Sequence, residues 1–152
     1  MQTDRQWHPH VTVAAVIERD GRYLLVEERI AGRMVINQPA GHLEEGETLI
    51  DAVVREALEE TAGHFVPESV VGVYRWTAPD GATFLRACFA GRCTGFDAER
   101  SLDAGIVGTV WLTRDELVRA RDRLRSPLVL RCIDDYAAGV RYPLRLICEV
   151  GQ

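Results

Sequence analysis

Apolar and polar residues alternate along the first third of the chain in a way that predicts strands. In His10–Glu28, read as HVTVAAVIERDGRYLLVEE, Val11, Val13, Ala15 and Ile17 lie on one face, and Tyr23 to Val26 continue in a partner strand. Asp20-Gly21 between them is a favoured dipeptide for a tight hairpin turn. His8 and His10 read as turn or edge residues, and residues 1 to 7 are polar apart from Trp7. Glu27, Glu28 and Arg29 lead into a short loop over Ile30–Met34 that turns at Gly32, followed by VINQPAGH. From Leu49 to about Thr61 the period changes to three and four. Leu49, Ile50, Val53, Val54, Ala57 and Leu58 form an apolar stripe without Pro or Gly, which predicts a core-facing helix. Thr48 is its expected N-cap, with Asp51 at the capping-box position.

Beyond the helix, a second pair of strands is expected to start at Pro67 and to divide at the Pro79-Asp80-Gly81 turn. Gly95–Thr109 has no clear period and several acids, so it reads as a loop before a strand at Val110–Leu112. Thr113 with Glu116 then forms a capping box for a second helix. Ser126-Pro127 marks the start of a third, with Leu128, Val129, Cys132, Ile133 and Tyr136 as its apolar face and Gly139 as its stop. Arg141–Leu144 leads into a last short strand. There are no internal repeats or linkers, and a single domain over residues 1–152 is expected.

The predicted first helix carries more than a core stripe. Glu56, Glu59 and Glu60 fall within one turn towards its C-terminus, where they repel one another and meet the unfavourable end of the macrodipole. A hard divalent ion such as Mg²⁺ or Mn²⁺ suits clustered carboxylates, and no His or Cys stands among them to favour zinc. A solvated acidic face is the plainer alternative. Arg55 can pair with Glu59 one turn on or reach back to Glu47. Ahead of the helix, Pro39, Ala40 and Gly41 let the main chain come close to a ligand or metal, with Asn37 and Gln38 beside them as candidate substrate contacts or as turn amides. Arg75, Trp76, Phe84 and Arg86 can stack on a ring and grip phosphate oxygens, or form cross-strand pairs on the sheet.

Composition narrows the partners. The 152 residues are 47% hydrophobic and 27% charged, with a net charge of −5, which argues against nucleic acid and leaves a small anionic substrate held through metal open. Cys88, Cys93, Cys132 and Cys148 lack CxxC spacing and are expected as free thiols. The sequence shows no signal peptide and no apolar run of the ~18 residues that span a membrane, so a cytoplasmic protein without membrane partners is expected. Oligomeric state is not encoded in any pattern.

Taken together, Gly41, Glu47, Arg55, Glu56, Glu59 and Glu60 have the spacing of a known signature: the stretch GHLEEGETLIDAVVREALEETAG resembles the Nudix hydrolase box. Ala62 stands where that box has Gly, with Gly63 next, so the helix is expected to end one residue later. HVTVAAVIERDGRYLLVEE, NQPAGHLEEGETL, YRWTAPDGATFLR, RSPLV and RYPL are further similar to the NudJ phosphatase group of the family. The resemblance implies an α/β fold, an α/β/α sandwich with a mixed sheet. It implies a metal at Glu56, Glu59 and Glu60 with a main-chain carbonyl of Ala40 or Gly41, and Glu56 or Glu59 as general base. Glu47 then orients Arg55, Asp103 completes the site from the following loop, and Gln38, Trp76 and Arg86 meet substrate. The implied activity is Mg²⁺-dependent release of phosphate from nucleoside di- and triphosphates, thiamine diphosphate or hydroxymethylpyrimidine diphosphate. The alternatives are release of diphosphate, an isomerase, or a nucleotide-sensing module without catalysis.

Overall fold

The computed structural model describes residues 6–151. The polar N-terminal expectation therefore falls mostly outside the described residues, and Trp7 is exposed. The strands are β1 (His10–Arg19), β2 (Arg22–Ile30), β3 (Arg33–Asn37), β4 (Ala40–His42), β5 (Gly63–Thr77), β6 (Thr83–Phe96) and β7 (Ile106–Leu112). The helices are α1 (Leu49–Thr61), α2 (Arg114–Arg119) and α3 (Leu128–Ala137), with short 3₁₀ turns at Arg121–Arg123 and Leu144–Leu146.

The strands form one mixed sheet in the order β3-β2-β1-β6-β5, with β4 paired to β1 and β7 to β2. β1 runs parallel to β6 and antiparallel to β4, Thr12 lying opposite both Arg86 and His42. Asp20 and Gly21 both have positive φ, as a tight hairpin turn requires. Because β1 is central, Thr12 to Ile17 are all buried, and its alternation sorts residues between two cores instead of between core and water. Val13, Ala15 and Ile17 pack with Ala52, Val53 and Ala57 of α1. Ala14 and Val16 face Leu117 of α2 and Val129, Cys132 and Ile133 of α3. Helices thus cover both faces, the expected α/β/α sandwich.

Several local expectations need correction. Ile30–Met34 is a hairpin whose turn is only Ala31-Gly32, both at positive φ, so Arg33 and Met34 already belong to β3. Pro67 does not start a strand; it sits inside β5 at a bulge, on an edge strand where its missing N–H costs no ladder bond. Ile106–Thr109 is strand, not loop, because β2 supplies the partner for it. The last expected strand reduces to one bridge, in which Tyr142 and Val70 exchange N–H···O bonds of 2.8 Å. α1 ends at Thr61, and Ala62 itself takes the left-handed conformation at φ 60°. The helix cannot run on to Gly63, whose place at the start of β5 puts it against Cys93, Phe96 and Thr61.

Candidate active site

The Thr48 hydroxyl accepts a bond from the Asp51 N–H at 3.0 Å and fixes where α1 begins, and so fixes the angle at which every later residue of the helix points. Two faces result. Ala52, Val53 and Ala57 go into the core, and Arg55, Glu56, Glu59 and Glu60 turn towards β4 and the loop before β7. This second face is only partly solvated: Glu56 is 9% and Glu60 6% exposed, while Arg55 and Glu59 are half-buried.

Arg55 organises the carboxylates. Its Nε and Nη2 donate to the two oxygens of Glu47 at 2.9 and 2.6 Å, a bidentate grip that reaches across the loop. Its Nη1 donates to Glu56 at 2.7 Å and Glu59 at 3.1 Å, and Nη2 also donates to the His42 carbonyl at 3.0 Å. Both alternatives raised for Arg55 are therefore realised at once. Its hydrogen bond holds Glu47 below the usual carboxylate range, and Glu47 in turn raises Arg55. Glu47 also accepts the Glu44 N–H at 2.8 Å, closing the loop on itself.

Glu60 accepts the Ala40 N–H at 2.8 Å and shares a hollow with Asp103, but it lies outside the tight set of Glu56, Glu59 and Asp103. Burial pushes its carboxyl up to about 9, opposed by the Ala40 hydrogen bond and reinforced by Glu28, Glu56 and Asp103. Burial likewise raises Glu56, against the pull of Arg55. Gly41 lies so close to Glu56 that a Cβ there would fall on the carboxyl group. The loop before β7 is tied in by its main chain, the Asp103 N–H donating to the Glu59 carbonyl at 3.0 Å. Glu56, Glu59 and Asp103 then offer carboxylate oxygens within 4.8 Å of one another. Three acids crowded so closely, one of them buried, fit a hard divalent cation, as does a glycine that leaves room beside them.

Next to the acids lies a cavity of about 150 Å³, bounded by Thr12, Glu28, Asn37, Gly41, Trp76 and Arg86 among others. Trp76 and Phe84 are cross-strand partners stacked 5.6 Å apart, and His10 stacks on the other side of Phe84 at 4.9 Å. Arg86 is 6% exposed and its Nη1 donates to the Gln38 side-chain oxygen at 2.9 Å. Gln38 was expected at substrate, yet it is 1% exposed and stands behind the wall, its amide donating to the Ala15 carbonyl at 3.2 Å. Trp76, Arg86 and Gly41 share the cavity, while Asp103 opens on a neighbouring hollow together with Glu60 and Glu28.

Sequence reasoning overlooked three residues here. Glu28 and Arg125, joined at 3.0 Å, border both the cavity and that hollow. Thr12 lines the cavity floor. Glu28 looked like one of three consecutive charged residues, and only the register of β2 shows it turned inward. Arg125 carries no local signal beyond its place before Ser126-Pro127.

Comparison with known proteins gives these features a family. Residues 7–131 match the family described as NUDIX domain. Proteins called Phosphatase NudJ from Escherichia coli K12 and Shigella boydii are each 43% identical over 139 residues, covering 91% of this chain and 90% of theirs. A solved NUDIX hydrolase from Nitrosomonas europaea is 50% identical, with a TM-score of 0.92 over 94% of this chain and 98% of that one. A MutT NUDIX hydrolase from Burkholderia pseudomallei, 20% identical, shares the fold at a TM-score of 0.71 over 85% and 98% of the two chains. The chain belongs to the Nudix hydrolases, enzymes that act on phosphoric anhydrides.

Proposed function

We propose that this Nudix hydrolase is a single-domain phosphatase dependent on Mg²⁺ or Mn²⁺ that releases inorganic phosphate from nucleoside di- and triphosphates. Thiamine diphosphate and hydroxymethylpyrimidine diphosphate are further proposed substrates. The observation that carries the reading is the convergence of Glu56, Glu59 and Asp103 within 4.8 Å beside Gly41. Relatives named Phosphatase NudJ support release of phosphate over release of diphosphate.

Glu56, Glu59 and Glu60, with Asp103 and the main chain at Ala40 and Gly41, would hold the ion. Bound there, a divalent ion would supply charge neutralisation for the anhydride and a more acidic water. The protein's own part is placement, which dominates phosphoryl transfer. Arg55, anchored by Glu47, holds Glu56 and Glu59 together on one guanidinium nitrogen, and the Ala40 N–H aims Glu60. Glu56 or Glu59 takes the proton of the attacking water. Trp76 and Arg86 hold the rest of the substrate in the adjoining cavity.

Phosphate release from a nucleoside diphosphate, measured with Mg²⁺, with Mn²⁺ and with chelator, tests this. Metal-dependent turnover is expected, and ³¹P NMR of a triphosphate reaction should show phosphate leaving one group at a time. Diphosphate as the product would assign the pyrophosphohydrolase reading, and binding without turnover would assign the sensor.

A further inference from the structure

The cavity beside the acids contains a charge that the protein does not neutralise. Arg86 is buried, and among the described residues no carboxylate forms an ion pair with it; its side-chain acceptor is the neutral amide of Gln38. Among the described residues its Nε–H has no acceptor, and the Thr12 hydroxyl directly across the β1–β6 pairing has no partner either. Two orphaned polar atoms on adjacent strands of one cavity wall are costly, since buried polar groups in folded proteins are almost always paired. The neighbouring wall carries Trp76 and Phe84, stacked face to face across the β5–β6 pairing, with His10 stacked on the far face of Phe84. The far side shares Gly41 with the acid cluster.

We infer that Thr12 and Arg86 form an edge-reading pair for a planar nitrogen heterocycle carried by the substrate, with Gln38 as the positioning residue that holds the guanidinium in place. The ring lies beside Trp76 and the edge of Phe84, whose two faces Trp76 and His10 already cover, and turns a lone pair, on a ring nitrogen or carbonyl oxygen, towards the guanidinium. Rotation of Thr12 about χ1 carries its hydroxyl from one staggered position to another, through which it turns to the same edge. A benzene-like ring fills the same space but leaves both donors unpaired, and sites built to hydrogen-bond reject such analogues strongly. Gln38 acts only through Arg86: its Nε2 is spent on the Ala15 carbonyl and the Cys88 sulfur, so its oxygen alone sets the guanidinium plane.

The inference deepens the substrate side of the proposed function and rests on that reading for the position of the phosphates. The test is equilibrium titration with benzyl phosphate and with the pyridylmethyl phosphates bearing nitrogen at each ring position. These ligands differ by one ring atom and need no turnover. The wild type is expected to prefer at least one pyridyl isomer by about 10-fold or more over benzyl phosphate. Thr12→Val and Gln38→Met should each reduce that ratio to about 3-fold or less. Thr12→Val should also melt no lower than the wild type, because the hydroxyl it removes is unpaired in the free protein. Equal affinity for all the ligands, no binding of any up to about 10 mM, or a ratio that survives Thr12→Val would each overturn the inference. Those failures leave metal-dependent phosphate release untouched, whereas a protein that shows the preference but cleaves no anhydride would overturn the hydrolase assignment instead.

Discussion

Gly41 sits directly beneath the Glu56 carboxyl group, so that the position of this buried acid on α1 depends on the absence of a side chain on β4. Gly41→Ala is expected to displace that carboxylate, which is the movable end of a flexible side chain, without breaking the β1–β4 pairing. Turnover should fall about 10- to 100-fold, on the scale of disturbing a ligand's support, while stability changes by about 0.5 kcal/mol or less. Steady-state kinetics and thermal melts of the same preparation check both halves. A variant that loses its fold along with its activity would show Gly41 to be structural.

Glu60 predicts a pH effect. Its folded carboxyl titrates near 9 when burial dominates, far above the ~4.3 of an unfolded chain. A raised carboxyl contributes stability that is fully present below the unfolded value and lost as pH rises through the folded one. In chelator, melting temperature should therefore fall between about pH 6 and pH 9, and saturating Mg²⁺ should flatten the slope by stabilising the ionised form. Glu60→Gln should reduce the slope, leaving the part that the raised Glu56 carboxyl contributes, and cost about 100-fold or more in turnover, as should Glu56→Gln for turnover. The same slope in Glu60→Gln as in wild type would remove Glu60 as its source.

Ala62 offers a gain in stability. It occupies a left-handed position after α1, with its N–H bonded to the Leu58 carbonyl at 2.9 Å, and a Cβ there is strained. Ala62→Gly is expected to stabilise the fold by about 0.5–1 kcal/mol, less the extra freedom glycine gives the unfolded chain. Chemical denaturation with an unchanged m-value would measure it, and a loss of stability would mean that packing of the Ala62 methyl outweighs the strain.

Trp76 and Arg86 line the cavity wall instead of standing among the acids. Alanine at either position should raise KM more than it lowers kcat, the pattern expected when binding shared by ground and transition states is removed. An unchanged KM for both would return them to a purely structural part in the sheet.

Much of this architecture is legible in the chain because local chemistry decides it. Thr48 and Thr113 cap helices as their hydroxyls predict, Asp20-Gly21 turns, and the spacing from Glu47 to Glu60 names the acids. What was hidden depends on partners distant in sequence. Ile106–Thr109 becomes a strand only because β2 lies beside it, and Pro67 is tolerated only because β5 is an edge. Glu28, Thr12 and Arg125 acquire their place from register across strands and not from neighbours in the chain. The burial of Glu56 and Glu60 was likewise invisible to helical periodicity, which treats any carboxylate as outward-facing.

The bond from the Ala40 N–H to Glu60, together with the double grip of Arg55 on Glu47, couples the spacing of β4, its following loop and α1 into one rigid reach of chain. A residue gained or lost between Ala40 and Thr48 would have to be absorbed without loosening either grip. The Asp20-Gly21 turn bears no such constraint, its glycine opening onto empty space, and it is the natural splice point for a fused reporter or affinity handle.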